Sequence, residues 1–346
     1  MNLPREVCQS SCNDSFNSSG RMQGRVRRVN IHWNVCFIAS LHYVGIELGG
    51  ISISRKLIQL SSISTRGQGR FGNQVYQYAF AKIYAKAHKL KLETGPWIGQ
   101  YLFGHDDPPI SAKLPAVESE EIKKIPFHEL MTADKPPFAN VDMRGQFSVH
   151  SKHYAPHQAY FQSLFQPIPD LQKKLDKGVR KLRGLGNTVV AIHVRRGDYV
   201  KYPNHPTFFP TPSGWYLKWL DRIWESLDRP VLFIATDDPG QVLPEFKRYR
   251  PVTVPDLMKP FPKEPVFYRM DPSFYPDYYM LTEADVLAIS NSTFSYTASM
   301  LNKKGRLFVR PRADAQLIAY DPWNSSAKMI MRPEAKAAPP STKEPK

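Results

Sequence analysis

Two arginines and an aspartate stand directly after an apolar run of the chain, in the segment His193-Val194-Arg195-Arg196-Gly197-Asp198. The run 188–194 is continuous and apolar, as expected of a buried parallel strand, so both arginines follow the end of that strand. Guanidinium groups in such a place are costly without an anionic partner, and a guanidinium can grip a diphosphate through two hydrogen bonds. The alternative is a solvated strand end with a structural salt bridge to Asp198. The position favours an anion-binding site.

A glycine-rich loop precedes a helical pattern, in the segment Gly67-Gln68-Gly69-Arg70-Phe71-Gly72-Asn73-Gln74. Glycine lets the backbone approach a ligand closely, and a helix N-terminus offers unpaired N–H groups to phosphate or sugar oxygens. Apolar residues recur on one face of 73–90, which predicts a helix, and 57–64 predicts the strand before the loop. This order is the start of a Rossmann-like unit. A tight turn before a packed helix is the alternative.

Two further polar segments follow predicted strands. Asp237 and Asp238 come after the apolar run 231–235 and could hold a base edge, a ribose hydroxyl or a metal ion, or could cap a helix. The segment Ser290-Asn291-Ser292-Thr293-Phe294-Ser295 follows the run 286–289. Its hydroxyl and N–H groups could contact phosphates, and helix capping is again the alternative.

The order of the predicted elements indicates an α/β fold. Strands alternate with helices such as 215–227, and a further strand is predicted at 306–309, which implies a parallel sheet covered on both faces. Ligands of such sheets bind beyond the carboxyl ends of the strands, where the four polar segments lie. Residues 104–140 are rich in Pro, Asp and Lys and are expected to be irregular. Residues 166–171, with two prolines, are expected to link two lobes.

The two ends of the chain differ in character from its middle. The stretch 29–46 contains no Lys, Arg, Asp or Glu and follows three arginines, which fits a signal anchor. Its Asn and His side chains are costly in lipid, so buried strands or a disordered lead-in are the alternative. Residues 327–346 are rich in Ala, Pro and Lys and are expected to be a disordered basic tail. The number and spacing of the three cysteines predict neither a disulfide framework nor a zinc site.

The net charge of +16 favours an anionic partner, which could be a nucleic acid, a membrane surface or a phosphorylated small molecule. No block of Lys and Arg with interleaved aromatic residues stands out, which argues against nucleic acid. N-x-Ser/Thr sequons begin at Asn13, Asn17, Asn291 and Asn324 and matter only in a secretory lumen. Asn291 lies inside the predicted site and is therefore expected to be unmodified.

Three segments, GRFGNQVYQYAFA, HVRRGDY and ISNSTFSYTASML, resemble motifs of the alpha-1,2-fucosyltransferases (glycosyltransferase family 11) in order and approximate spacing. The His-x-Arg-Arg core and the glycine loop are also similar to the protein O-fucosyltransferases. The resemblance runs from about Gly67 to Pro311, with unmatched stretches between the motifs. It departs from the family at Gly69-Arg70-Phe71, where Gly-Gly-Leu is common, and at Tyr296-Thr297-Ala298-Ser299, where a Trp-Trp-Gly run is frequent. These departures bear more on the acceptor than on the donor.

The resemblance implies two Rossmann-like lobes that face each other, the GT-B arrangement. After an N-terminal tail, 1–59, the acceptor-side lobe would be 60–166 and the GDP-fucose lobe 167–326. The implied reaction moves L-fucose from GDP-fucose to a glycan hydroxyl, the 2-position of galactose, with inversion and with neither a metal ion nor another cofactor.

The resemblance also implies roles for residues. Arg195 looks like the arginine that binds the diphosphate, and His193 and Asp198 accompany it as the catalytic set. The general base stays open, because His193, Asp198 and Asp142 are candidates by residue type alone. The segment 143–147 is similar to a Gly-aromatic-Gln segment of the family. The implied substrate-binding residues are Gly69, Gly72, Asn73, Gln74, Arg196, Asp237, Asp238, Ser292, Thr293, Phe294 and Ser295.

Other interpretations stay open. The chain could resemble a protein O-fucosyltransferase in activity, use another nucleotide sugar, or bind a sugar nucleotide or carbohydrate without turnover. The expected partners are GDP-fucose and a glycan acceptor, without nucleic acid, and the oligomeric state is not determined. An anchor at 29–46 would place the catalytic part in the Golgi lumen, and without an anchor the chain would be cytoplasmic, as in a bacterial enzyme.

Overall fold

The computed structural model describes residues 57–60, 69–201, 209–262, 271–312 and 314–326, with the backbone alone for the first of these ranges. All of them belong to one compact unit, Ile53–Lys346. The candidate anchor at 29–46, the first two residues of the glycine loop and the tail 327–346 lie outside the described residues. Within the described part of the chain, no helix is long and apolar enough to cross a membrane.

The described strands form two sheets. The first has the order β2-β1-β4-β3 with parallel pairing, and the second has the order β6-β5-β7-β8-β9, in which β8 and β9 pair antiparallel and the other neighbours are parallel. The strands are β1 (Leu57–Leu60), β2 (Lys91–Thr94), β3 (Ala116–Glu118), β4 (Asp142–Arg144), β5 (Thr188–Val194), β6 (Pro230–Thr236), β7 (Val286–Ala288), β8 (Leu307–Arg312) and β9 (Gln316–Ala319).

The α-helices of the described residues fill the connections between the strands. They are α1 (Phe71–Ala87), α2 (Ile98–Phe103), α3 (Ser119–Ile122), α4 (Phe127–Thr132), α5 (Gln158–Ser163), α6 (Pro169–Gly184), α7 (Gly197–Lys201), α8 (Ser213–Ile223), α9 (Pro239–Glu245), α10 (Val254–Leu257), α11 (Tyr275–Thr282) and α12 (Thr293–Leu301). The helix α8 packs on one face of the second sheet, while α6 and α11 pack on the opposite face.

The predicted α/β fold is confirmed, and several predicted elements lie close to their observed positions. The helix α6 was not predicted, and it begins inside the stretch 166–171 that was expected to link two lobes. β5 has the predicted bounds, and α1 begins two residues before the predicted helix start. The prediction for 104–140 was wrong, because this stretch contains β3, α3 and α4. These elements are three to six residues long, too short for periodicity to reveal them. The lobe boundaries at 60–166 and 167–326 stay predictions.

The two sheets are joined through a shared core. α1, which follows the first sheet's β1, is buried around most of its circumference because it packs against α12 of the second sheet. The amide of Gln162 donates to the carbonyl of Met300 at 2.9 Å, and the hydroxyl of Tyr76 contacts the sulfur of Met300 at 3.3 Å. Near the end of the described chain, the N–H of Ser325 donates to Oγ of Ser151 at 3.0 Å. These contacts fix the position of the N-terminus of α1 relative to the second sheet.

Candidate functional site

The carboxyl end of β5 presents a buried and oriented guanidinium group. Every residue of β5 is buried, since the strand lies between β6 and β7, and the side chain of Arg195 directly after it is only 14% exposed. Arg195 forms ion pairs with Asp198 and Asp237, and its guanidinium carbon lies 5.5 Å from the centroid of the Tyr199 ring. Two carboxylates and one aromatic face therefore hold this cation at the edge of the sheet where ligands of such folds bind.

The neighbouring Arg196 points elsewhere. Its guanidinium donates to the carbonyl of Thr211 at 2.6 Å and to Oγ of Ser213 at 2.9 Å, at the start of α8. Its backbone N–H donates to Oδ1 of Asp237 at 2.8 Å. In this structure Arg196 anchors the chain segment before α8, although the sequence places it among the substrate-binding residues.

The two aspartates after β6 also separate in role. Asp237 accepts from the Arg196 N–H and pairs with Arg195, and a Cβ at Gly197 would lie only 2.3 Å from its Oδ2. Gly197 has a φ of +27°, so glycine allows this close approach. Asp238 caps α9 by accepting from the N–H of Gln241, which confirms helix capping for that residue.

His193, the last residue but one of β5, is a buried neutral side chain. Its Nδ1 lies 2.8 Å from Oγ of Ser290, and its ring centroid lies 5.1 Å from that of Phe294. Burial, and secondarily the charge of Arg195, lowers the pKa of His193 to about 3. The imidazole is therefore uncharged at neutral pH and supports the neighbouring segments from within the core.

The segment that follows β7 forms the start of α12. Oγ of Ser292 caps the helix by accepting from the N–H of Phe294 at 3.3 Å. Ser295 is fully buried, and its hydroxyl accepts from the N–H of Ser290 at 3.3 Å, so it shapes the loop from inside. Ser292, Thr293 and Phe294 keep partial exposure. The sequon residue Asn291 is 3% exposed.

The glycine loop of the first sheet meets this segment directly. A Cβ on Gly72 would lie 2.5 Å from the backbone nitrogen of Phe294 and 2.5 Å from the carbonyl carbon of Thr293. Only a residue without a side chain lets the N-terminus of α1 approach α12 so closely. Arg70, just before α1, pairs with Asp198 at 3.2 Å and so joins the loop to the end of β5. The structure thus brings the four separate polar segments to one place.

The next two residues of α1 are largely enclosed. Oδ1 of Asn73 is buried without a hydrogen-bond partner in the described part of the chain, and its side chain lies beneath Gly69, which has a φ of +96°. Gln74 is 2% exposed. A buried amide oxygen without a partner is unfavourable, and the assignment of Asn73 to the donor site stays a prediction.

The segment 143–147 belongs to a different contact network. The carbonyl of Gly145 accepts from the amide of Gln77 at 2.8 Å, and the buried carboxylate of Asp142 pairs with Arg144 at 2.9 Å. Among the three candidates for a general base, Asp198 is the one that contacts Arg195, and its side chain is 28% exposed.

Sequence reasoning missed two charged residues that the structure places at or beside this site. Arg70 lies in the glycine loop and had no assigned role, although its position between glycines indicated that it could belong to the site.

Asp277, in α11, makes neither an ion pair nor a side-chain hydrogen bond with another described residue, and burial raises its pKa to about 7. Phe274, directly before α11, has its ring centroid 4.8 Å from that of Phe71 and 6.1 Å from that of Phe294. An acidic residue inside the aromatic segment YPDYYM was the signal for Asp277.

Comparison with known proteins gives matches in structure alone. No family model matches the chain, and no curated protein matches it in sequence. The chain is similar to NodZ alpha-1,6-fucosyltransferase co-crystallised with GDP, at 13% identity and a TM-score of 0.50, over 78% of this chain and 99% of NodZ. Fucosyltransferase NodZ from Bradyrhizobium matches over the same shares at 12% identity and a TM-score of 0.50.

A plant protein gives a similar match. A mutant of Arabidopsis thaliana FUT1 in complex with GDP matches at 12% identity and a TM-score of 0.50, over 82% of this chain and 80% of that protein. At such identities the likeness concerns the fold. The chain has the α/β fold of the GT-B fucosyltransferases.

Proposed function

We propose that this chain is a fucosyltransferase that moves L-fucose from GDP-fucose to a glycan hydroxyl, with inversion and without a metal ion. One observation carries the proposal: the buried guanidinium of Arg195 is held at the carboxyl end of β5, where the N-termini of α1 and α12 meet. The similar structures contain GDP in two cases, which supports a guanine nucleotide as the donor's leaving group.

Arg195 is suited to the charge that develops during such a transfer. As the bond between the fucose anomeric carbon and the diphosphate oxygen breaks, the electron pair stays on the diphosphate. A guanidinium fixed in advance stabilises that charge without reorganising, and the neighbouring helix N-termini add N–H groups and positive dipole ends. The acceptor oxygen forms the new bond to the anomeric carbon and gives its proton to the general base, without a covalent enzyme intermediate.

The resting arrangement has a consequence for donor binding. Arg195 is paired with Asp198 and Asp237, so an incoming diphosphate must share the guanidinium with these carboxylates or displace one of them. Arg70 offers Asp198 a second cationic partner at 3.2 Å. We therefore include Arg70 and Asp198 among the residues that adjust the site to an anionic ligand.

The finer features of the proposal concern the acceptor. The order of the motifs supports transfer to the 2-position of galactose, whereas one of the similar structures is named as an alpha-1,6-fucosyltransferase. The departure at 296–299 falls in α12, where Tyr296 donates to the carbonyl of Ser325 at 3.0 Å and Thr297 bonds to Tyr278 at 3.1 Å. These side chains are engaged in the core, so the acceptor must be recognised by other residues.

Calorimetric titration of the full chain tests the donor assignment. GDP, GDP-fucose, GDP-mannose and UDP-galactose are compared with and without a chelator such as EDTA. We expect binding of the guanine ligands, unchanged by the chelator, and transfer to galactose-terminated glycans in a subsequent acceptor screen. Preference for UDP-galactose would point to another nucleotide-sugar transferase. Binding of GDP-fucose without transfer or donor hydrolysis would point to a non-catalytic binding protein.

A further inference from the structure

The helix α6 carries a surface of one charge that the proposed reaction does not use. Its buried side is apolar and packs into the core through Leu171, Leu175, Val179 and Leu182. The opposite side exposes five cations, which we call the basic face of α6: Lys173, Lys174, Lys177, Arg180 and Lys181. At 3.6 residues per turn these five lie within about 120° of the helix circumference, along roughly 12 Å of its axis.

Few acidic groups of the same helix offset these charges. Asp176 lies on the flank, where it accepts from the amide of Gln172 at 2.6 Å and from the hydroxyl of Tyr279 at 3.2 Å. Asp170, in the first turn, lies on the same side as the five cations, one turn before Lys173 and Lys174, and is the acidic residue that offsets them at that end. Lys181 donates to the backbone carbonyl of Asp256, beside α10, and Lys259 shortly after α10 is also exposed. Asp256 is itself exposed, so the positive charge is concentrated on α6.

The position of the basic face relates it to the candidate site. α6 leads into β5 through three residues and packs against it, so the start of the helix lies toward the carboxyl edge of the sheet. Gln172, at this end, bonds to Tyr279 of α11. The ring of Phe274, just before α11, contacts Phe71 and Phe294 of the site. The basic face thus begins one helix away from the site and runs away from it.

We propose that the basic face of α6 binds a linear polyanionic polysaccharide, as an additional binding surface for an acidic acceptor chain. This inference rests on the proposed function. A row of cations on one helix side matches a linear array of sulfate or carboxylate groups, and four of the five are lysines, which act as mobile point charges. α6 contains no aromatic residue on which nucleic-acid bases could stack, and its apolar side is packed in the core and unable to enter a bilayer.

Binding of a heparin-derived hexasaccharide to the full chain tests the inference. The variant combines Lys173→Gln, Lys177→Gln and Arg180→Gln, and the matched control combines Lys124→Gln, Lys135→Gln and Lys218→Gln, three exposed lysines elsewhere. Each contact between a cation of α6 and an anionic group of the hexasaccharide contributes to affinity, and the α6 variant lacks three of these cations. We therefore expect it to bind roughly tenfold more weakly or worse, with a shallower dependence on salt. The control is expected to change affinity less than about twofold.

The remaining outcomes separate this inference from its alternatives. Equal losses in both variants would overturn it, because binding would then follow net charge alone. Tighter α6-dependent binding to a 12-base-pair duplex DNA or to vesicles containing phosphatidylserine would overturn the assignment to a polysaccharide. GDP titration of the same proteins reports on the donor site separately. If the wild-type chain bound the hexasaccharide through α6 but did not bind GDP, the proposed function would be contradicted. The inference about the basic face of α6 would still be supported.

Discussion

The ends of β5 and β6 each carry two neighbouring side chains of like charge, and in both pairs the two members have different roles. Arg195 and Asp237 face each other at the junction with α1 and α12 and form an ion pair. Arg196 anchors the segment before α8, and Asp238 caps α9. In each pair one member belongs to the candidate site and the other stabilises a neighbouring element. Adjacent charges after a strand are therefore not interchangeable, because successive side chains point in different directions.

The difference between Arg195 and Arg196 should be largest in the turnover of the two alanine variants. Arg195→Ala removes the guanidinium that would stabilise the leaving diphosphate, and we expect fucosyl transfer to fall on the order of 100-fold or more. Steady-state kinetics with GDP-fucose measures this effect, and thermal unfolding checks that the variant is folded. Transfer within a few-fold of the wild type would remove Arg195 from the mechanism.

Arg196→Ala should show the opposite pattern to Arg195→Ala, with a loss of stability and little loss of turnover. Two side-chain hydrogen bonds to Thr211 and Ser213 are lost, so we expect the free energy of unfolding to fall by about 2 kcal/mol. The folded variant should retain transfer well above that of Arg195→Ala. Denaturant unfolding and kinetics on the same preparation measure both quantities. If Arg196→Ala lost turnover as severely at unchanged stability, the two arginines would share one role.

The pH dependence of stability tests the buried state of His193. The folded-state pKa is lowered to about 3 for His193 and to about 4 for His105, which burial likewise keeps neutral. In the unfolded chain both protonate below about pH 6.5. Their contribution to stability is therefore complete above that pH. Below it, the unfolding free energy should fall by up to about 1.4 kcal/mol per pH unit for each histidine, until the folded pKa is reached.

Denaturant titrations between pH 7 and pH 4.5 measure this slope, and His193→Gln is the informative variant. Glutamine does not titrate, so the decrease of the unfolding free energy per pH unit should become smaller by the contribution of one histidine. An unchanged slope would mean that His193 becomes protonated in the folded chain and that its environment is more polar than its contacts with Ser290 and Phe294 indicate.

The smallest expected effect concerns Asp238. Asp238→Ala removes the cap of α9, which should lower the free energy of unfolding by about 1 kcal/mol and leave transfer close to the wild-type rate. Urea unfolding and kinetics check this, and Asp238→Asn, which can still cap, serves as the control. A strong loss of turnover in Asp238→Ala would assign this residue to the donor site with Asp237.

The sequence predicted several of the long elements, for identifiable reasons, but it did not predict the 16-residue helix α6. The assignment of the site residues stays a prediction. β5 reads as seven consecutive residues without a charge and is buried along its whole length. The helix α1 shows an apolar period and follows a glycine loop. Short elements such as β3 and α4 were not predicted, because three to six residues carry too little periodicity. The helix α11 was not predicted, because its apolar residues cover its circumference almost evenly.

By itself, the sequence determined that charged and small polar residues follow the strands of an α/β fold, because strand ends and glycine loops are local patterns. It did not determine which of two adjacent like charges enters the site. That choice depends on contacts between residues about 40 to 220 positions apart, namely Arg195 with Asp237 and Gly72 with Thr293 and Phe294. Only the tertiary structure brings those residues within reach, since side-chain direction at a strand end is decided by the partners packed around it.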